Sequence, residues 1–149
     1  MLVIGSDHGG YELKTEILQL LEERAVKCTD LGTDGSDSVD YPDFAAKVAG
    51  AVSSGEAELG ILICGTGIGM SISANKFPGV RAALVHDEFT AQMAREHNNA
   101  NILVMGGRVL TPEQGKKFVE IWLDSTFEGG RHQNRLDKIT AIEQRVISR

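Results

Sequence analysis

The sequence predicts an α/β protein, a three-layer α/β/α Rossmann-like sandwich built on a five-stranded parallel sheet. Three observations predict it. Short apolar runs alternate with amphipathic helical stretches along all 149 residues. One run, Leu59–Cys64, is apolar on both faces, as a strand covered from both sides must be. Helical stretches stand between successive runs, and right-handed crossovers spread such helices over both faces of a sheet.

Each element has its own warrant. Leu2–Gly5 is a short apolar first strand. Tyr11–Ala25 carries Leu13, Ile17, Leu20 and Leu21 on one helical face, with Glu12, Glu16, Glu22 and Glu23 opposite. Val26–Leu31 is a second, weaker strand, and Gly32–Asp40 a polar loop. Pro42 suits the first turn of a helix that shows Phe44, Val48 and Val52 on one side. Leu59–Cys64 is the central strand. A Gly-rich turn then leads into a short helix ending near Lys76. Arg81–Val85 is the fourth strand, and Asp87 can cap a helix running to about Asn98. Ile102–Met105 is the fifth. Thr111-Pro112-Glu113-Gln114 combines a capping box with proline at the first helical position, opening a helix through Leu123. After Gly129-Gly130, a last helix spans roughly Arg131–Ile147. With no linker, repeat or low-complexity segment, one domain over 1–149 is expected.

Composition narrows the function. Hydrophobic residues make up 42% and charged residues 24%, an ordinary globular balance. No apolar run approaches the roughly 20 residues of a membrane span. Met1-Leu2-Val3-Ile4-Gly5 has neither basic region nor cleavage site and reads as a strand. Cys28 and Cys64 are too few for a disulfide framework, so a reduced, cytoplasmic protein is expected. A net charge of −6 argues against nucleic acid as a partner. Between Arg131 and Arg149, however, basic Arg131, Arg135, Lys138, Arg145 and Arg149 face only Asp137 and Glu143. That stretch is either a solvated helix face or a patch for a small anion.

Ligands of such sheets bind beyond the carboxyl ends of the strands, near the point where strand order reverses. Two of those ends carry chemistry. The third strand delivers Cys64-Gly65-Thr66-Gly67-Ile68-Gly69 into a helix start. Glycines at alternate positions let backbone N–H groups converge on an anion, or on charge that develops during a reaction. A helix N-terminus favours the thiolate of a nearby cysteine. Cys64 is therefore either a nucleophile or base at that mouth, or a buried strand residue. Cys28 lacks such a setting and reads as structural.

Three other readings of the segment fail on particular residues. A dinucleotide fingerprint needs a third glycine where Met70 stands, or Ile72 if counted from the next glycine. Asp87 does lie where a ribose-binding acid is expected, but the chain has no room for a second, substrate-binding domain. A Walker loop ends in Gly-Lys-Ser/Thr, which is absent. A Cys-x5-Arg phosphatase loop needs arginine where Met70 stands.

The first strand delivers Ser6-Asp7-His8-Gly9-Gly10, where Asp7 and His8 are either catalytic groups or turn chemistry. Glu96-His97-Asn98-Asn99-Ala100-Asn101 is a polar knot between helix and strand. By itself His97 could be only a cation at a helix end. Gly129-Gly130-Arg131-His132-Gln133-Asn134-Arg135 sets two arginines one helical turn apart, a spacing that can grip a phosphate. No HExxH or paired-cysteine spacing occurs, so neither metal nor cofactor is expected.

Taken in order, Asp7-His8, Asp40-Tyr41-Pro42, Cys64-Gly-Thr-Gly-Ile-Gly, Ala74-Asn75-Lys76, His97-Asn98 and Gly129-Gly130-Arg131-His132-x-x-Arg135 resemble the type B ribose-5-phosphate isomerases over essentially the whole chain. Galactose-6-phosphate isomerase subunits share the Cys-Gly-Thr-Gly turn, whereas the Gly-Gly-Arg-His-x-x-Arg segment is more typical of the ribose enzymes. The resemblance implies an aldose–ketose isomerase of the non-oxidative pentose phosphate branch. It implies Cys64 as the base that moves a proton between C1 and C2. A subtype uses glutamate a few residues later, where this chain has Ser71-Ile72-Ser73 and no carboxylate. It further implies that the amides of Gly65, Thr66, Gly67, Ile68 and Gly69, with Thr66 itself, stabilise an enediolate. His97 would open the furanose ring, and Asp7 would handle hydroxyls. His8, Arg131 and Arg135 would hold the phosphate, and Asn98 and Arg108 would complete the sugar site.

Helices run antiparallel to the strands, so Asn98 and Arg131 belong near the amino edge of the sheet and Cys64 near the carboxyl edge. A homodimer, or a dimer of dimers, with composite sites is the expectation. The alternatives are an isomerase of a six-carbon sugar phosphate, such as allose or galactose 6-phosphate, and a non-catalytic sugar-phosphate or nucleotide sensor. A sensor does not need both Cys64 and His97.

Overall fold

Burial sets the order of the sheet. The computed structural model describes residues 1–149. Strands β1 (Leu2–Ser6), β3 (Leu59–Cys64) and β5 (Ile102–Gly106) are buried almost throughout, whereas β2 (Cys28–Asp30) and β4 (Ala82–Leu84) are partly exposed. All five are parallel, in the order β2-β1-β3-β5-β4, so the two short strands are the edges. Both edge strands are shorter than the sequence suggests, because each has a ladder partner on one side only. Asn75 blunts the β4 edge: its side chain accepts from Ala82 N at 2.9 Å and donates to Ala82 O at 3.0 Å, standing in for a strand.

Six helices complete the chain: α1 (Tyr11–Glu23), α2 (Tyr41–Ser54), α3 (Ile68–Ala74), α4 (Glu88–Glu96), α5 (Pro112–Asp124) and α6 (Arg131–Ile147). The steps β1→β2 and β4→β5 run one way along the sheet, while β2→β3 and β3→β4 run the other. Right-handed crossovers therefore place α1 and α4 on one face and α2 and α3 on the other. The core follows that division. Leu13, Ile17, Leu21, Ala91, Phe118 and Trp122 pack on Ile4, Ile61, Ile63 and Met105. Ala45, Val48, Ala49, Met70 and Ala74 pack on Val3, Leu62 and Val104. The direction reverses between β1 and β3, which makes their carboxyl ends the switch point.

Helix starts agree with the sequence and several ends come earlier. Asp87 and Thr111 cap α4 and α5, both with reciprocal capping boxes. Ala25 and Asn99 take positive φ (55° and 44°), so α1 and α4 stop at Glu23 and Glu96 and not at Ala25 and Asn98. Helix α3 likewise stops at Ala74, two residues short of Lys76. Helix α6 buries only His132 and Leu136, leaving Ile139, Ile142, Val146 and Ile147 exposed. No helix is long and apolar enough to cross a membrane.

One side chain on the buried face of α1 was not expected there. Lys14 is 1% exposed. Its ammonium donates to both oxygens of Asp30, at 2.7 and 2.8 Å, and to the Thr33 carbonyl. A buried ammonium requires such partners. The same loop is tied to β1 by two backbone bonds, Ser6 N to Gly32 O and Thr33 N to Ser6 O, each 2.6 Å.

Candidate active site

Three backbone segments meet at the switch point: the turn after β1, the Gly-rich turn after β3 and the turn after β5. Their approach leaves no room for side chains. A Cβ at Gly107 would stand 2.5 Å from Gly9 O, and one at Gly106 would stand 2.7 Å from Thr66 O. Gly107 N and Arg108 N donate to Cys64 O (2.8 Å) and Gly65 O (2.9 Å), locking the second turn to the third. Gly67 has φ +82°, the left-handed conformation that turns the chain into α3.

This clamp aims the chemistry of Cys64. The residue is 5% exposed, and its Sγ accepts from Gly67 N at 3.2 Å. That amide is a fixed donor aimed at the sulfur. Ile68 N is taken up by Thr66 Oγ1 at 3.2 Å, which leaves the Thr66 hydroxyl hydrogen free to donate outward. The amides of Gly65, Thr66 and Gly69 find no acceptor within the protein. Glycine spacing thus yields a cradle of donors around one sulfur, although Gly67 N and Ile68 N serve the turn itself.

Asp7 and His8 line the first wall. Asp7 is 7% exposed and caps the short 3₁₀ turn His8–Gly10, its Oδ1 accepting from Gly10 N at 3.1 Å. Turn chemistry therefore occupies one carboxylate oxygen. His8 Nδ1 accepts from Val39 N at 3.2 Å, which fixes the tautomer with hydrogen on Nε2 and presents a donor. The Arg108 guanidinium packs over Gly65, with Nη1 3.3 Å from the place of a Cβ there. The Tyr41 ring covers Gly69 in the same way. Tyr41 belongs to the Asp40-Tyr41-Pro42 motif, but its contact with the turn was not legible locally. The half-buried Cys28 lies outside the cradle, and burial pushes its thiol up to about 12.

The remaining predicted residues gather at the opposite edge. Asn101 immediately precedes β5, and Cys64 pairs with Gly106 at the far end of that strand, five residues and about 16 Å away. His97 caps the end of α4, and its ring stacks on His132 at 4.1 Å between centroids. Glu128 lies beside both, 3.7 Å from His97 Nε2 and 3.5 Å from His132 Nε2. Burial, then the neighbouring His97 and Arg131, hold His132 below the usual histidine range. Asn98 lines a pocket of about 260 Å³ with Arg81, Leu136 and Ile139. Arg131 and Arg135 share one open groove with Asn134 and Lys138. One chain therefore brings together Asp7, His8, Gly65–Gly69, Cys64 and Arg108, and separately His97, Asn98, Arg131 and Arg135.

Known proteins are similar to this chain over nearly its whole length. A family profile described as Ribose/Galactose Isomerase matches residues 2–139. Ribose-5-phosphate isomerase B of Escherichia coli is 51% identical over 144 residues, covering 97% of each chain. The structure of Clostridium thermocellum ribose-5-phosphate isomerase B superposes with a TM-score of 0.95 at 53% identity, over 97% of this chain and 98% of that one. The Mycoplasma genitalium ribose-5-phosphate isomerase B, solved with bound ribulose-5-phosphate, gives 0.93 at 47% identity, over 96% of this chain and 95% of that one.

Proposed function

This chain belongs to the ribose/galactose isomerase family and is an aldose–ketose isomerase, and we propose that it interconverts ribose 5-phosphate and ribulose 5-phosphate. The observation that carries the mechanism is the Gly67 amide held on Cys64 Sγ at the centre of the glycine cradle. Cys64, as thiolate, takes the proton from C2 of the open-chain aldose and delivers one to C1, the sulfur-bound proton exchanging with solvent in between. The electron pair left at C2 forms the C1=C2 double bond and pushes charge onto O1, giving an enediolate. The O2 hydroxyl proton passes to O1, and as C1 takes its proton the ketone forms at C2. Amides of Gly65, Thr66 and Gly69, with the Thr66 hydroxyl, stabilise a charge that exists only during reaction, where preorganised donors act best. Asp7 holds the sugar hydroxyls with its uncapped oxygen, and Arg108 closes the wall. The reaction needs neither metal nor cofactor.

His97, Asn98, Arg131 and Arg135 lie at the other edge of the same chain, so a second copy supplies them. The proposed assembly is a homodimer, alone or paired into a dimer of dimers, with two composite sites. Exposed Ile68, Ile72 and Leu84 beside the cradle, and Ile139, Ile142 and Val146 on α6, are the apolar surface such a dimer would cover. His97 of the second copy would open the furanose ring. Its Arg131 and Arg135, with His8 Nε2–H, would hold the phosphate, whose roughly −2 charge two guanidiniums match. The proposal takes residues 1–149 as one isomerase domain, working in the cytoplasm in the non-oxidative pentose phosphate branch. Relatives named as metabolic enzymes and two free cysteines support that setting.

The test is proton NMR of ribose 5-phosphate with metal-chelated protein in heavy water. Ribulose 5-phosphate carrying deuterium at C1 is expected. The family description also names galactose, which favours six-carbon phosphates as a second reading. Inertness towards ribose 5-phosphate with turnover of allose or galactose 6-phosphate would establish that reading instead.

A further inference from the structure

Distant parts of the sequence meet in one cluster that sugar isomerisation does not need as a unit. His97 ends α4, Glu128 stands in the turn after α5, and His132 opens α6 one helical turn later. Backbone bonds fix all three. His97 N donates to Met93 O at 2.9 Å, Glu128 N to Glu96 O at 3.0 Å and His132 N to Gly129 O at 3.1 Å. Glu128 is thereby anchored beside the residue that precedes His97. The two imidazoles stack 16° from parallel, and the Nε2 of each lies near the carboxylate of Glu128.

The separations have a chemical meaning. At 3.5 and 3.7 Å, the nitrogen–oxygen distances are too long for hydrogen bonds. Two ligand atoms each about 2.1 Å from one tetrahedral zinc ion stand roughly 3.4 Å apart, the edge of the tetrahedron. All three ligand atoms lie within 4.8 Å of one another, so a modest opening of the histidine stack brings them around one ion. Two imidazoles and one carboxylate are a zinc-type donor set that leaves a fourth position open. Carboxylate and histidines are half-exposed or at the surface, apart from His132, so an ion can enter from solvent.

We propose that His97, Glu128 and His132 form a binding site for a divalent transition-metal ion of the zinc class, and that filling it silences the isomerase. The silencing half rests on the ring-opening role assigned to His97; the binding half does not. A metal on His97 Nε2 withdraws that imidazole from proton transfer and places a cation where the substrate's sugar end must pass. The site is therefore inhibitory, distinct from a catalytic metal centre.

Metal-stripped protein is titrated with Zn2+ by calorimetry and with Co2+ by visible absorption, for wild type, Glu128→Gln and His132→Gln. The expected result is one ion per chain, at least tenfold weaker in both variants. Turnover should fall in step with occupancy in wild type. Glu128→Gln should turn over normally without metal and resist zinc at concentrations that silence wild type. A sulfur-to-cobalt charge-transfer band, or binding that Cys64→Ala abolishes and Glu128→Gln leaves intact, would put the ion on Cys64 and overturn the site. Absence of binding would overturn it too. Binding that depends on Glu128 with turnover unchanged would keep the site and refute its silencing, counting against His97 as the ring-opening group.

Discussion

At the residue scale, the chain sets its two thiols in different surroundings. Gly67 N points at the Cys64 sulfur, whereas burial and the nearby Asp30 push Cys28 up to about 12. At pH 8 a thiol of that pKa is ionised to roughly one part in ten thousand. Mass spectrometry after brief iodoacetamide treatment at pH 8 should therefore find label on Cys64 and none on Cys28. Cys64→Ala should abolish turnover yet keep substrate affinity, and undiminished catalysis would remove the proposed base. Arg135→Ala should act on binding, raising KM on the order of 10- to 100-fold with kcat little changed, the loss of one charge-assisted contact. Residues of this kind were legible because their signal is local: a cysteine at a strand end before alternating glycines, and two arginines one turn apart. Glu128 and Tyr41 were not, since each meets its functional neighbours only through tertiary packing. Glu128 reaches His97 across β5 and α5, and Tyr41 reaches Gly69 across α2 and β3.

At the element scale, the site depends on backbone segments pressed together. A Cβ at Gly107 would stand 2.5 Å from the Gly9 carbonyl, an overlap with main chain that no rotamer relieves. Gly107→Ala should cost about 1–3 kcal/mol in urea unfolding and lower kcat, because it pries the first and third turns apart. A second support lies deeper. Lys14 on α1 fixes the Asp30–Thr33 loop, and that loop is bonded to Ser6 next to Asp7. Asp30→Ala leaves the ammonium with the Thr33 carbonyl alone. About 2 kcal/mol of destabilisation is expected, less than for a fully buried pair because Asp30 is 38% exposed. Alternating patterns and caps made the five strands and six α-helices legible. The Thr111 capping box forms, and Asp87 caps α4 with a reciprocal box where the sequence predicts a cap alone. The edges of the sheet were not: periodicity reports which face is apolar, but not how far a strand with one neighbour stays paired. The lysine was missed for a related reason, since a charged residue on an apolar face reads as an exception until its partner's position is known.

At the scale of the whole molecule, one fact organises the rest: the predicted site residues occupy opposite edges of one sheet. Cys64 and its cradle crown the carboxyl ends, while His97 and the two arginines sit beyond the amino ends of β4 and β5. Helix antiparallelism alone made that division legible, but not the surface that would join two copies. The apolar residues on α6 look in sequence like one face of a core helix, yet they remain exposed in the single chain. The account predicts a dimer in sedimentation, and a fully active monomer would remove the composite site. Subunit mixing tests it most directly. Cys64→Ala and His97→Asn are each expected to be inactive, and are mixed in equal amounts after dissociation and reassociation. Half the dimers are then hybrids, each with one site carrying both defects and one carrying neither, so activity should return to about a quarter of wild type. A mixture that reassociates and stays dead would show that Cys64 and His97 serve the same site from the same chain, or none, and would contradict the account.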